Sequence, residues 1–329
     1  MRLLLELSNE SDSLSKSEAV SAIAALGGRA RTLDEDTGVL VVETSADPVV
    51  LGKRLGLCHR VCEWLGSCAP TEIESFAEGL DVPGPIRVRS TKVGLPVEGV
   101  VLESVSRRVG GILGRRSGVD LHEPASDVRI VFSKKAHVGR VLWSVDRPAF
   151  EKRKNRYLPF HYPASLHPKY ARAMVNLTRV GDGRRLLDPF CGTGAILTEA
   201  HLAGVNAIGS DISERMIEGA SRNMRFVGAD AEFHLCDVGA IPATVGKVDG
   251  IATDPPYGRA TSTNGEGIGD LYVRALGAFA SVLDKGSRLA IVVPDMAMIG
   301  DADGFRLLES HPLWVHRSLT RNFCVLERT

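Results

Sequence analysis

The chain has few aromatic residues, 5 %, only 6 cysteines, and no surplus of either charge, with 40 Lys+Arg against 40 Asp+Glu. Each shortage excludes something. Six cysteines in 329 residues do not make a disulfide scaffold, so a reducing, intracellular setting is expected. Cys58, Cys62 and Cys68 stand near His59, but their spacing is not that of a zinc site, and no metal is expected. No apolar run approaches the ~18 residues that span a bilayer. The opening Met1-Arg2-Leu3-Leu4-Leu5-Glu6 meets an acid too early for a signal peptide. A cytoplasmic protein without membrane contact is the expectation. With 44 % apolar and 24 % charged residues, the composition is that of a folded chain. At roughly 100–200 residues per domain, it holds two or three domains.

The neutral total hides a pattern. Residues 83–160 carry 16 basic and 7 acidic side chains, whereas residues 1–82 carry 7 basic and 14 acidic. A positive middle beside an acidic flank is the footprint of a nucleic-acid-binding module, or of a solvated basic face without a partner. Along the N-terminal stretch, 2–7 reads as a strand and 15–26 as a helix stopped by Gly27-Gly28. Residues 30–33 and 39–43 read as a hairpin. Asp47-Pro48 caps a helix to Leu55, and 60–64 closes the unit as a strand. This β-α-β-β-α-β order predicts a ferredoxin-like domain over 1–82.

After Pro83-Gly84-Pro85, a second α/β unit is predicted over 83–146, with strands at 86–90, 128–132 and 138–145 and a helix at 100–113. Its Arg107, Arg108, Arg115, Arg116, Lys134 and Lys135 collect at helix ends and turns, within reach of phosphates. Residues 147–163, holding Lys152 and Arg153, read as a linker. From 164 to 329, short apolar strands at 185–187, 207–210, 232–235, 250–253 and 289–293 alternate with helical patterns at 196–203, 214–226 and 270–283. That rhythm predicts a doubly wound parallel sheet. Segments 314–320 and 323–327 leave no room for a helix between them and predict an antiparallel hairpin on the sheet edge.

The chemistry-bearing motifs sit at predicted strand ends, where doubly wound sheets bind ligands. Asp188-Pro189-Phe190-Cys191-Gly192-Thr193-Gly194 follows the first strand, its glycines allowing a tight turn. Asp211 ends the second strand 23 residues on, near the spacing at which an acid grips ribose hydroxyls. Asp237 ends the third. Leu197 stands where the last glycine of a G-x-G-x-x-G fingerprint would be, and no basic residue waits there for a pyrophosphate. A nucleoside without phosphates fits better than a nicotinamide dinucleotide. The fourth strand ends in Asp254-Pro255-Pro256-Tyr257-Gly258. A carboxylate, carbonyls fixed by two prolines and an aromatic ring suit a planar group bearing an NH2.

DPFCGTG, the acids at 211 and 237, and DPPYG together resemble the class I S-adenosylmethionine-dependent methyltransferases. DPPY resembles the subgroup that methylates exocyclic amines of nucleobases. Phe160-His161-Tyr162-Pro163, Leu166-His167-Pro168, Ala171-Arg172-Ala173-Met174-Val175-Asn176-Leu177 and His316-Arg317-Ser318-Leu319-Thr320-Arg321 narrow the likeness. The whole chain is similar to the archaeal tRNA guanine-10 N2-methyltransferases, most strongly over 155–329. The resemblance implies a ferredoxin-like start, a THUMP domain in the middle and a Rossmann-like methyltransferase domain. It implies that Pro189, Phe190, Gly192 and Gly194 wrap the methionine part of S-adenosylmethionine and that Asp211 binds the ribose, with Ile212 beside the adenine. Asp237 would read the adenine amine with Val238 packing nearby. Asp254, Pro255, Pro256 and Tyr257 would hold the target base, Asp254 also bordering the cofactor.

The implied partner is tRNA, met by a monomer, and two rounds of methylation are implied. Asp254 and a proline carbonyl would draw the guanine N2 amine towards tetrahedral geometry; as a base, an ordinary Asp with pKa near ~4 is weak at neutral pH. The base must be flipped out of its stem, and the polar loop 259–269 is expected to close over it. Other amine targets remain open: adenine N6 or cytosine N4 in DNA, or guanine N2 in ribosomal RNA or elsewhere in tRNA. So do a non-catalytic RNA-binding protein and, disfavoured by the incomplete glycine fingerprint, a dehydrogenase.

Overall fold

The computed structural model describes residues 1–94, 100–163, 165–258, 267–300, 302–317 and 319–329. The chain divides into two compact units, residues 1–16, 28–53 and 57–145, and residues 17–27, 54–56 and 146–329. Among the described residues no helix is long and apolar enough to cross a membrane.

The N-terminal elements are β1 (Arg2–Leu7), α1 (Asp12–Ala25), β2 (Arg31–Asp36), β3 (Val39–Glu43), α2 (Pro48–Arg54) and β4 (Cys58–Cys68). They follow the expected ferredoxin-like sequence, in strand order β2-β3-β1-β4. Next come α3 (Ile73–Glu78), which has no counterpart among the predicted elements, β5 (Ile86–Lys92), α4 (Leu102–Ser117), β6 (Ser126–Phe132) and β7 (Ala136–Ser144). Strand β4 does not stop at Trp64. It runs on to Cys68 and pairs antiparallel with β7, from Arg60 opposite Ser144 to Cys68 opposite Ala136. One seven-stranded sheet, β2-β3-β1-β4-β7-β6-β5, therefore spans the predicted boundary at 83. The sheet curls: Glu6 of β1 lies 3.4 Å from Arg129 of β6 although two strands separate them in pairing order. Helix α4 buries Val105, Val109 and Leu113, one face at four-residue spacing. Its Arg107, Arg108, Arg115 and Arg116 are exposed.

The C-terminal unit contains α5 (Arg147–Lys152), α6 (Pro168–Leu177), β8 (Arg185–Asp188), α7 (Ala195–Leu202), β9 (Asn206–Asp211), α8 (Glu214–Phe226) and β10 (Glu232–Leu235). It continues with α9 (Ile241–Thr244), β11 (Val248–Thr253), α10 (Ile268–Val282), β12 (Leu283–Val293), β13 (Phe305–His316) and β14 (Leu319–Arg328). The sheet order is β10-β9-β8-β11-β12-β14-β13, parallel from β10 to β12, with β14 and β13 antiparallel. The expected edge hairpin is present, but its first strand starts at Phe305 and its turn follows His316. Glu309, Ser310, His311 and Pro312 hide that strand from an apolar-run search, and an edge strand tolerates them. Helix α10 packs Tyr272, Leu276 and Phe279 against Leu187, Ile251, Leu289 and Ile291 of the sheet.

The predicted linker 147–163 is largely structured. Asp146 caps α5 by accepting from Ala149 N at 3.1 Å, and Phe150 is buried. The expected lid, residues 259–269, lies mostly outside the described residues.

Candidate active site

Strand order reverses between β8 and β11, since β9 and β10 lie on one side and β12 on the other. Ligands of doubly wound sheets bind in the crevice at such a point. A cavity of about 1200 Å³ opens there, lined by the loops after β8, β9, β10 and β11 together with residues of α10, β13 and β14. Of the residues expected to bind cofactor or base, Pro189, Phe190, Gly192, Asp211, Ile212, Asp237, Val238, Asp254, Pro255, Pro256 and Tyr257 all lie on its wall. Gly194 does not. Its φ of +82° starts α7, and a Cβ there would stand 3.2 Å from the Ala220 Cβ. Gly194 shapes the loop and lets two helices approach.

The acids are held in different ways. Asp188 at the end of β8 is buried and accepts from Thr253 Oγ1 at 2.8 Å and Phe190 N at 3.2 Å. Burial outweighs those bonds and pushes its carboxyl up to about 7. Asp211 accepts from Gly192 N at 3.1 Å and Ser213 N at 2.9 Å, so it pins the loop after β8 as well as facing the cavity. Burial raises its pKa too. Asp237 accepts from Gly239 N at 2.8 Å and from the Arg274 guanidinium of α10. Burial raises its pKa, but the Arg274 bond and the Gly239 amide prevail, and the net shift is downward.

Asp254 lies just beyond β11. Tyr257 donates its hydroxyl to it, and Arg321 of β14 places Nη2 4.0 Å from its Oδ2. Burial raises the Asp254 carboxyl above its ordinary value, with Arg321 and the Tyr257 hydroxyl pulling it partly back. The expectation of a weak base near ~4 is corrected accordingly: burial makes Asp254 a better proton acceptor than an exposed Asp. Tyr257 is tied by its hydroxyl, and burial raises its pKa, so it stays protonated.

Three residues of the site have no role assigned from the sequence. Arg274 and Arg321 come from elements 37 and 67 residues away from Asp237 and Asp254. Asn223 of α8 accepts from Phe160 N at 2.9 Å and donates to Phe160 O at 2.7 Å and Thr193 O at 3.1 Å. It ties the segment before α6 to the loop after β8. The family-like stretch 316–321 contains one of these positions, Arg321, and another such stretch contains Phe160, which Asn223 holds, but only the fold shows what they touch.

None of the eight residues expected at RNA lines the cavity. Arg107, Arg108, Arg115, Arg116, Lys134, Lys135 and Lys152 are exposed. Arg153 is not spare: it is 17 % exposed and gives Nε and Nη2 to buried Glu199 at 2.7 and 3.1 Å. The reason is burial of Glu199, which needs cations and also takes Arg172 Nη2 at 2.9 Å.

The donor set suits a nucleoside with a cationic arm. Asp188 offers a buried carboxyl, Asp211 and Asp237 offer acceptors, and Phe190, Ile212 and Val238 provide apolar wall. The sequence comparisons agree. Residues 155–322 match the protein family described as RMKL-like, methyltransferase domain. The chain is 34 % identical over 340 residues, covering all of both chains, to a tRNA (guanine(10)-N2)-dimethyltransferase of Methanothermobacter thermautotrophicus. It is 36 % identical to one of Pyrococcus abyssi, covering 94 % of each. In fold it is similar to the crystal structure of TrmN from Thermus thermophilus, with a TM-score of 0.58 and 24 % identity over 100 % of both chains. The chain belongs to the tRNA (guanine(10)-N2)-dimethyltransferase family.

Proposed function

We propose that this protein transfers methyl groups from S-adenosylmethionine to N2 of guanosine 10 in tRNA, giving N2-methyl- and then N2,N2-dimethylguanosine. The observation that carries this reading is the sharing of one cavity by the Asp254-Pro255-Pro256-Tyr257 turn and the acids Asp188, Asp211 and Asp237. The full-length relatives supply the guanine and its position. Bound S-adenosylmethionine supplies a methyl group on a sulfonium, already electrophilic. Asp188 would face its ammonium, Asp211 its ribose, and Asp237 its adenine amine between Ile212 and Val238.

The remaining task is to make a poor nucleophile better. The N2 lone pair is delocalised into the purine ring. Asp254 and the Pro255 or Pro256 carbonyl accept its N–H bonds, favour tetrahedral nitrogen and stabilise the positive charge that grows there. Their fixed placement contributes the orientational part. Asp254, its pKa raised by burial, takes the proton once the N–C bond forms. The base reaches this turn by leaving its stem, at a cost of a few kcal/mol. A ferredoxin-like domain over 1–82, a THUMP domain over 83–146, a connector over 147–163 and a catalytic domain over 164–329 belong to the same proposal. So do a monomeric state, a cytoplasmic location and contact of the exposed basic residues with tRNA.

The test is transfer of labelled methyl from S-adenosylmethionine to an unmodified tRNA transcript, beside a transcript with G10 replaced by A and an Asp254→Ala enzyme. Label only with G10 and the wild-type enzyme is expected. Label surviving the replacement moves the target, and no label on tRNA despite bound cofactor overturns the reading.

A further inference from the structure

A D-P-P-Y turn suits an amine on guanine, adenine or cytosine alike, so something else must choose the base. Arg321 sits on β14 opposite Leu313 of β13, and it lines the cavity beside Asp254. It is 17 % exposed, and its Nε is buried without a hydrogen-bond partner among the described residues. The 4.0 Å from Nη2 to Asp254 Oδ2 is too long for a hydrogen bond. The guanidinium also bonds the Tyr257 side chain, but a buried N–H without an acceptor is costly, and an acceptor that enters the cavity would pair it.

The order of groups along this wall matches one base. Read from the amine, guanine presents N2–H, N1–H and then the O6 acceptor. A carboxylate offers two acceptors, and a guanidinium beside it offers donors. Adenine read from N6, or cytosine read from N4, presents a ring nitrogen acceptor next. Its lone pair would face the Asp254 carboxylate. We infer that Arg321 donates to guanine O6 while Asp254 accepts from N1–H and N2–H, so that Arg321 makes the site guanine-specific. Resting on the reading of guanine N2 as target, this gives the turn the selectivity it lacks by itself. Tyr257, whose hydroxyl donates to Asp254 in the free protein, yields that oxygen when the base arrives.

The experiment compares kcat/KM for tRNA carrying guanosine or 6-thioguanosine at position 10. The analogue keeps N1–H and N2–H and replaces O6 by the weaker acceptor sulfur. The enzymes are wild type, Arg321→Met and Arg321→Lys. Wild type is expected to prefer guanosine by about tenfold or more, within the about 10- to 100-fold that a good base contact confers. Arg321→Met should lose rate on guanosine and bring the ratio near unity, and Arg321→Lys should fall between. A merely structural arginine would lower both rates together and leave the ratio at its wild-type value. That result overturns the inference. Cofactor binding by calorimetry reports folding of each variant, and if Arg321→Met does not fold, the ratio in Arg321→Lys decides. Absence of wild-type label at position 10 would instead overturn the proposed function.

Discussion

Asp188 couples cofactor binding to protons. Burial lifts its carboxyl to about 7 in the free protein, so half of it is neutral there. A cation bound beside it favours the carboxylate and pulls that pKa down. Cofactor affinity should therefore fall towards tenfold per unit below pH 7 and fall again above about pH 8, where the cofactor's own ammonium (pKa near ~8) loses its proton, and binding below pH 7 should release protons, read by calorimetry in buffers of different ionisation enthalpy. The sign for stability is opposite. A carboxyl raised on folding binds more protons folded than unfolded between about pH 4 and 7. The contribution of Asp188 to stability should therefore shrink as pH rises through that window, and Asp188→Asn should remove that contribution, so that the variant gains stability relative to wild type between about pH 4 and 7. Equal pH slopes for the two proteins would refute it. Asp254→Asn should lower kcat by about 10²–10³, the usual loss for a missing charge-stabilising group, as read by single-turnover methyl transfer at saturating cofactor. The four acids are legible because strand ends mark themselves by an apolar run stopping at an acid. Arg274, Arg321 and Asn223 carry no such mark. Each is ordinary in its own element and becomes meaningful only where folding puts it.

Elements show the same division. Alternation and helix caps locate the strands and helices, because burial writes its period into the chain. Short helices such as α5 and α3, and the polar edge strand β13, bury too little to leave a pattern. Segment 147–163 shows the consequence. It reads as a connector with a basic run, yet it places Arg153 on Glu199 rather than in solvent. Glu199→Ala should cost about 3–5 kcal/mol in unfolding free energy, since Arg172, 3 % exposed, loses its carboxylate. Arg153→Gln should likewise lower stability, whereas Lys152→Gln, on an exposed residue of the same run, should leave the unfolding midpoint within experimental error. Gly219 of α8 makes a companion test. A Cβ there would stand 2.1 Å from Phe160 Cδ1, so Gly219→Ala must displace the segment that Asn223 holds. Overpacking of that kind costs about 1–3 kcal/mol. Unchanged cofactor affinity in Gly219→Ala would show that the segment does not support the loop after β8.

For the whole chain, the charge pattern is legible and the sheet that joins residues 1–68 to 86–144 is not. Strand β4 continues past Trp64 through Gly66, a residue type disfavoured in strands, and Ser67, and both here pair with β7. Charge needs no fold to be counted, but its use depends on which side chains stay outside. Zero net charge gives no uniform pull on nucleic acid, so the proposed contact with tRNA assigns its electrostatic part to the excess of positive charge over residues 83–160. Arg115, Lys134 and Lys152 are exposed there. Replacing each by Ser should raise KM for tRNA and reduce the slope of log K against log salt by about 1 for each phosphate that is no longer neutralised. Cofactor affinity and kcat at saturating tRNA should be unchanged, because none of the three lines the catalytic cavity. Arg153→Gln should leave the slope alone, its charge being spent on Glu199. If the triple variant keeps the wild-type slope, the basic stretch is a solvated face and tRNA must be held by other residues.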